Sequence, residues 1–193
     1  GAALMVNEGV LENPAPAAIF GLHVISSNEV GKIGNRPGPL LASGDVLRIV
    51  VRGRQTHGAR PWGGVDPIVV AAQIILGLQT IESRQVDVTL EPSVLTIGTI
   101  HGGVRSNIIP DSVEMVGTIR TFDEAMRDDI HQRITRTAEL IAQSSQASAQ
   151  VRIDKLGPVT INDEKLTAAM LPTLKKVAGE EKVLLSPKRT VAE

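Results

Sequence analysis

The chain of 193 residues contains no cysteine, which excludes disulfides and thiolate metal sites and leaves any metal to nitrogen and oxygen ligands. A reducing cytosol and an oxidising periplasm are both compatible with that absence. Charge of either sign is not in excess: 20 Lys and Arg stand against 21 Asp and Glu, a formal charge of -1. Nothing in this balance points to nucleic acid or to an acidic solvating tail. No apolar run approaches the roughly 20 residues of a membrane span, and Gly1-Ala2-Ala3-Leu4-Met5 lacks the charged region of a signal peptide. Internal repeats and low-complexity segments are missing as well. The chain opens without an initiator Met and closes on Thr190-Val191-Ala192-Glu193, so both termini read as cuts through a longer protein. A cytoplasmic protein is expected, with the periplasm left open because the N-terminus is absent, and with neither nucleic acid nor membrane as partner.

What is present is ordinary globular material, 42% hydrophobic and 21% charged, enough for one good core or one small domain plus part of another. Residues 1–39 predict a short helix over Ala2 to Leu11, a turn at Glu12-Asn13-Pro14-Ala15-Pro16, and an apolar strand from Ala17 to Ile25 with too little alternation for one solvated face. Gly34-Asn35-Arg36-Pro37-Gly38-Pro39 breaks every regular pattern and predicts a linker. From Gly44 the pattern alternates, with Leu47, Ile49 and Val51 on one face and Arg48, Arg52 and Arg54 mostly on the other, which predicts a half-buried strand. Asp66 as N-cap with Pro67 at the first position starts a helix, whose expected inner face is Ile68, Ala72, Ile75 and Gln79, with Ala71 and Leu76 beside it. Val94 to Ile100 and Val113 to Thr121 predict a hairpin. Thr121 and Glu124 have capping-box spacing, and Met126, Ile130, Ile134, Ala138 and Ile141 form a helical stripe. A last strand, Ala149 to Ile153, completes β-α-β-β-α-β over residues 40–155. Beyond it, Asn162 or Asp163 caps a helix through Leu166, Met170 and Leu174, with a kink expected at Pro172. Residues 156–193 are too few to fold alone, so they and residues 1–39 are expected to share one interrupted domain.

Four histidines supply the candidate chemistry, because imidazole is both a common metal ligand and a proton carrier near neutral pH. His131, beside Gln132 and Arg133, reads as a solvated surface residue. His23 closes the apolar strand, which allows either a satisfied core histidine or a ligand at the strand's carboxyl edge. His57 lies in Gln55-Thr56-His57-Gly58-Ala59-Arg60-Pro61, and its small residues suit a turn or a close backbone approach. His101, beside Gly102-Gly103, reads as a hairpin-loop residue. Asn107 and Arg120 offer a donor-acceptor amide and a planar fork, which suit either an amino-acid-like substrate or a cross-strand structural pair.

Four ordered strings carry a family resemblance: Gly21-Leu22-His23-Val24, then His57-Gly58-Ala59-Arg60-Pro61 with Gly64-Val65-Asp66-Pro67-Ile68, then Gly102-Gly103 with Asn107-Ile108-Ile109-Pro110, then Gly117-Thr118-Ile119-Arg120-Thr121. Over nearly the whole chain the sequence resembles the M20 amidohydrolases, in the branch of hippurate hydrolases, N-acyl-amino-acid amidohydrolases and auxin-conjugate hydrolases. The fold class this implies is α+β, with a ferredoxin-like β-α-β-β-α-β lid and dimerisation domain (40–155) inserted in a truncated α/β zinc-hydrolase catalytic domain (1–39 and 156–193).

The resemblance makes His23 a metal ligand and His57 a residue that reaches the partner subunit's active site to stabilise an oxyanion. It places Asn107 and Arg120 on the substrate's carboxylate end. It also implies two divalent metal ions in the intact parent, zinc first and manganese, cobalt or nickel as alternatives, acting on an N-acyl amino acid or short peptide-like substrate in a homodimer. The family's other ligands and its Glu-Glu pair fall outside the chain, which leaves His23 alone where zinc wants three or four ligands. The chain by itself is therefore expected to be inactive and to hold no metal tightly. Trp62 stands where relatives often carry a second His. The competing reading is a ferredoxin-like dimerisation or binding module without catalysis.

Overall fold

The computed structural model describes residues 2–26, 28–186 and 189–191, in two units, Gly1–Val30 and Gly31–Glu193. In the first unit, α1 (Ala2–Asn7) is shorter than the expected helix and gives way to turns through Pro14. The expected strand from Ala17 to Ile25 is not formed: this segment is irregular, with Leu22 at 87% and Val24 at 86% exposure. A strand is held by ladder hydrogen bonds and by layers over its faces. Among the described residues no strand pairs with this segment, so apolar content alone does not make it one.

The second unit begins with β1 (Ile33–Asn35) and β2 (Gly38–Leu41), which occupy much of the segment expected to be a linker. Gly38, at φ +73, opens β2 in the left-handed conformation that glycine adopts without strain. The sheet's first long strand, β3 (Gly44–Arg52), leads to the short β4 (Thr56–His57), to α2 (Pro67–Thr80) and to a wide turn at Ile81–Gln85. Next come β5 (Ser93–Gly102), the short β6 (Ile108–Ile109), β7 (Ser112–Thr121), α3 (Glu124–Ser144) and β8 (Ser148–Gly157). The chain continues with β9 (Thr160–Asn162), α4 (Glu164–Ala178) and β10 (Val183–Leu185). β1 pairs parallel with β10, and β2 antiparallel with β9. Residues 187, 188, 192 and 193 of the expected third segment lie outside the described residues.

The central sheet has the order β5-β7-β3-β8, every neighbour antiparallel, and α2 and α3 pack together against one face of it. This is the ferredoxin-like split arrangement. Alternation in β3 turns Leu47, Ile49 and Val51 inward, where they meet Val113, Met115 and Ile119 of β7 and Leu95 of β5. From the helices come Val70, Ala71, Ile74 and Leu78, and Ile130, Ile134, Ala138 and Ala142. Each large aliphatic buried this way contributes about 1.5–3 kcal/mol. α2 and α3 approach closely at Gly77, where a Cβ would stand 2.6 Å from Ile141 Cδ1.

Asp66 caps α2 as expected, accepting from Ile68 N at 2.9 Å. The helix's buried face differs from the expected one: Val70, Ala71, Ile74 and Leu78 turn inward, whereas Ile68 and Leu76 are exposed. Its run Ile-Val-Val-Ala-Ala-Gln-Ile-Ile-Leu-Gly-Leu is apolar nearly all round, so periodicity carries no single phase there. The cap of α3 is Asp123, accepting from Met126 N at 2.7 Å, and not Thr121. Thr121 ends β7 instead and is fully buried, its hydroxyl paired with Ser43 at 2.9 Å.

Candidate functional site

The segment carrying His57 is built by close backbone approach. Arg54 and Val65 exchange two backbone hydrogen bonds, at 2.9 and 3.0 Å, and Gly64 lies so near that a Cβ would stand 2.4 Å from Arg54 O and 2.6 Å from Thr56 Cγ2. Inside that closure, Arg60 N donates to His57 O at 2.7 Å and the Thr56 hydroxyl donates to Arg60 O at 3.1 Å. Gly64→Ala should therefore force the two backbone strands apart and cost about 1–3 kcal/mol, as overpacking does. Urea unfolding combined with amide exchange at Arg54 and Val65 measures this, and unchanged protection at both amides would refute it.

His57 is exposed on β4, opposite Ile108 of β6. Its Nδ1 accepts the backbone N–H of Ala59 at 3.0 Å, so in the neutral ring Nε2 carries the proton and is the donor. Asn107 sits beside it: its backbone oxygen accepts from Gly58 N at 2.7 Å, and its side chain is exposed. The fold thus brings His57 and Asn107 together at one end of the sheet. Close by on β5, exposed His101 stands opposite Glu114 of β7.

Arg120 is elsewhere. It lies eight residues beyond Ser112 along β7, a separation of roughly 27 Å at about 3.4 Å per residue. Its side chain points to the sheet face away from the helices, donating to Ile119 O at 3.0 Å and to the Thr118 hydroxyl. Asn107 and Arg120 are therefore not a cross-strand pair within one chain.

His23 lies in the first unit, exposed, with Nδ1 donating to Val24 O at 2.8 Å. That bond leaves the lone pair on Nε2, the nitrogen suited to a metal. A single imidazole does not make a metal centre, and among the described residues no group of three or more His, Asp or Glu side chains gathers to complete one. The residues present do not fit the two divalent ions by themselves.

The structure corrects the reading of His131. Its side chain is 14% exposed and its Nε2 donates to Asp45 Oδ2 at 3.0 Å. Asp45 is fully buried on β3 and is bound by Arg127 of α3 through Nε at 3.0 Å and Nη2 at 2.5 Å. Arg127 also donates to Gly157 O at 3.0 Å and to both oxygens of Glu124 at 2.9 and 3.1 Å, while Glu124 accepts from Val159 N at 3.1 Å. Burial pushes the Glu124 carboxyl up, but the Val159 amide and the Arg127 guanidinium outweigh it and hold it below its ordinary value. The cluster clasps the point where the chain enters the sheet at Asp45 to the point where it leaves at Gly157. In the sequence its signals were an acidic residue at an inward position of β3 and basic residues at i, i+4 on α3.

A family described as peptidase dimerisation domain, of the M20 peptidases, matches residues 46–145. The chain is 38% identical over 167 residues to an N-acetyl-L-cysteine deacetylase of Bacillus subtilis, covering 86% of this chain and 39% of that protein. It is 39% identical over 154 residues to an N-acyl-L-amino acid amidohydrolase of Geobacillus stearothermophilus, covering 80% of this chain and 41% of that protein. Among solved structures, a dinuclear metal binding peptidase of the M20 family from Bacillus subtilis superposes with a TM-score of 0.76 at 31% identity, over 100% of this chain and 46% of that one. The chain spans less than half the length of these relatives. The matched residues, 46–145, are those that form most of the four-stranded sheet and both of its helices, and the chain belongs to the M20 peptidase family, whose dimerisation domain it carries.

Proposed function

We propose that the intact protein containing this chain hydrolyses the amide bond of N-acyl amino acids with the help of two divalent metal ions, and that the chain by itself is inactive. Similarity at 38% and 39% identity to a deacetylase and an amidohydrolase of N-acyl amino acids supports the substrate class. The observation that carries the reading is the position of the candidate residues, with His57 and Asn107 at one end of β7 and Arg120 at the other. One chain cannot gather them around a small substrate. A two-fold dimer can, because each active site then takes one end from each subunit. The edge strand β8 supports such a dimer, with ten residues free of proline at the rim of the sheet. In this arrangement His57 donates from Nε2 to the oxyanion that forms on the scissile carbonyl, and Arg120 with Asn107 holds the substrate's carboxylate.

The test is metal content and hydrolysis of N-acetyl and N-benzoyl amino acids, measured side by side on this chain and on the longer gene product. About two metals per chain and activity in the longer protein alone is the expected result. In that protein Arg120→Ala should raise KM for carboxylate-bearing substrates roughly ten- to hundredfold with a small change in kcat, the loss of one charge-assisted contact. If neither protein binds metal or hydrolyses an amide, the reading falls and the non-catalytic dimerisation module takes its place.

A further inference from the structure

Trp62 is the only tryptophan in a chain that has no tyrosine and two phenylalanines. Large aromatics contribute most when buried, as Phe122 is here, yet Trp62 is 80% exposed. It stands in the short 3-10 turn Pro61–Gly63, five residues after His57. That turn is not loose: Gly63 N donates to Arg60 O at 3.0 Å, Gly64 N to Pro61 O at 3.1 Å, and the Arg54–Val65 bridge closes its base. Trp62 and His57 therefore stand five residues apart on the same backbone-braced segment, which keeps the two positions near each other. An indole has only two rotatable bonds, so ordering it on contact costs little entropy and it can anchor an apolar group.

We infer that Trp62 is a specificity-determining residue, whose indole face packs on the acyl group of the substrate whose oxyanion His57 receives, and which favours aromatic and longer apolar acyl groups over acetyl. This rests on the proposed role of His57. The scissile carbonyl belongs to the acyl group, so a donor aimed at its oxygen has the acyl substituent within reach of its own neighbours. The indole offers an aryl ring an offset-stacked surface, whereas a methyl group covers little of it.

The experiment compares kcat/KM for the N-benzoyl and N-acetyl derivatives of one amino acid in the full-length protein and its Trp62→Ala and Trp62→Phe variants, with sedimentation of each. Trp62→Ala should lower kcat/KM for the benzoyl substrate about tenfold and leave the acetyl substrate within about twofold, with Phe restoring most of the difference. A wild-type enzyme that is active but keeps the same benzoyl-to-acetyl ratio in both variants overturns the assignment. So does an equal loss on both substrates with a change in dimer mass, which would make Trp62 a subunit contact. Absence of hydrolysis in the wild-type protein overturns the proposed function and this assignment with it.

Discussion

Replacing Arg127 by Met should destabilise the chain by about 3–5 kcal/mol, the penalty for removing the guanidinium from a buried carboxylate and leaving it only His131. Asp45 is fully buried and Arg127 is 3% exposed, so water cannot replace the lost fork. The same substitution removes the guanidinium donor from Gly157 O and from both oxygens of Glu124, which loosens the exit from the sheet. Arg127→Lys should rescue little, because a single ammonium cannot reproduce a bidentate grip on Asp45 together with contacts to Glu124 and Gly157. The double variant Asp45→Val with Arg127→Met should recover most of the loss, since it removes both charges from the interior. Urea unfolding of the three variants decides the matter. A loss below about 1 kcal/mol in Arg127→Met would mean that solvent reaches the cluster and that its burial is not the source of stability.

His57→Ala in the full-length protein should lower kcat by about 10²–10³, the usual cost of removing one oxyanion donor, with KM changing much less. The Ala59 amide holds Nδ1, so the donor that is lost is Nε2–H. His57→Gln should recover part of the rate if its amide reaches the same place. Because His57 and Arg120 lie at opposite ends of β7, a mixture of His57→Ala and Arg120→Ala subunits should form dimers in which one of the two sites is intact. At substrate concentrations well below KM, mixing should restore up to about a quarter of the wild-type activity, as random two-fold pairing requires. No recovery in dimers shown to have exchanged subunits would remove the in-trans role of His57.

Sequence alone determined much of the domain that residues 44–157 form. Alternation at Leu47, Ile49 and Val51, the Asp66-Pro67 helix start and the stripe from Met126 to Ile141 all survive in the structure, and of the two caps offered for the last helix the structure uses Asp163, because each depends on residues at most a few positions apart. The ordered strings around His23, His57, Asn107 and Arg120 likewise pointed to the family. Tertiary structure decided what local pattern could not. The inward face of α2 was set by the sheet and α3, since an all-round apolar helix has no preferred side. Ala17 to Ile25 remained irregular because a strand needs a partner that its own residues do not supply. The placement of Asn107 and Arg120 at opposite ends of one strand followed from the hairpin's register. His131 and Arg127 became part of a buried cluster with Asp45 across 86 and 82 positions of sequence, a distance at which charge complementarity is invisible until the sheet and helix are packed together.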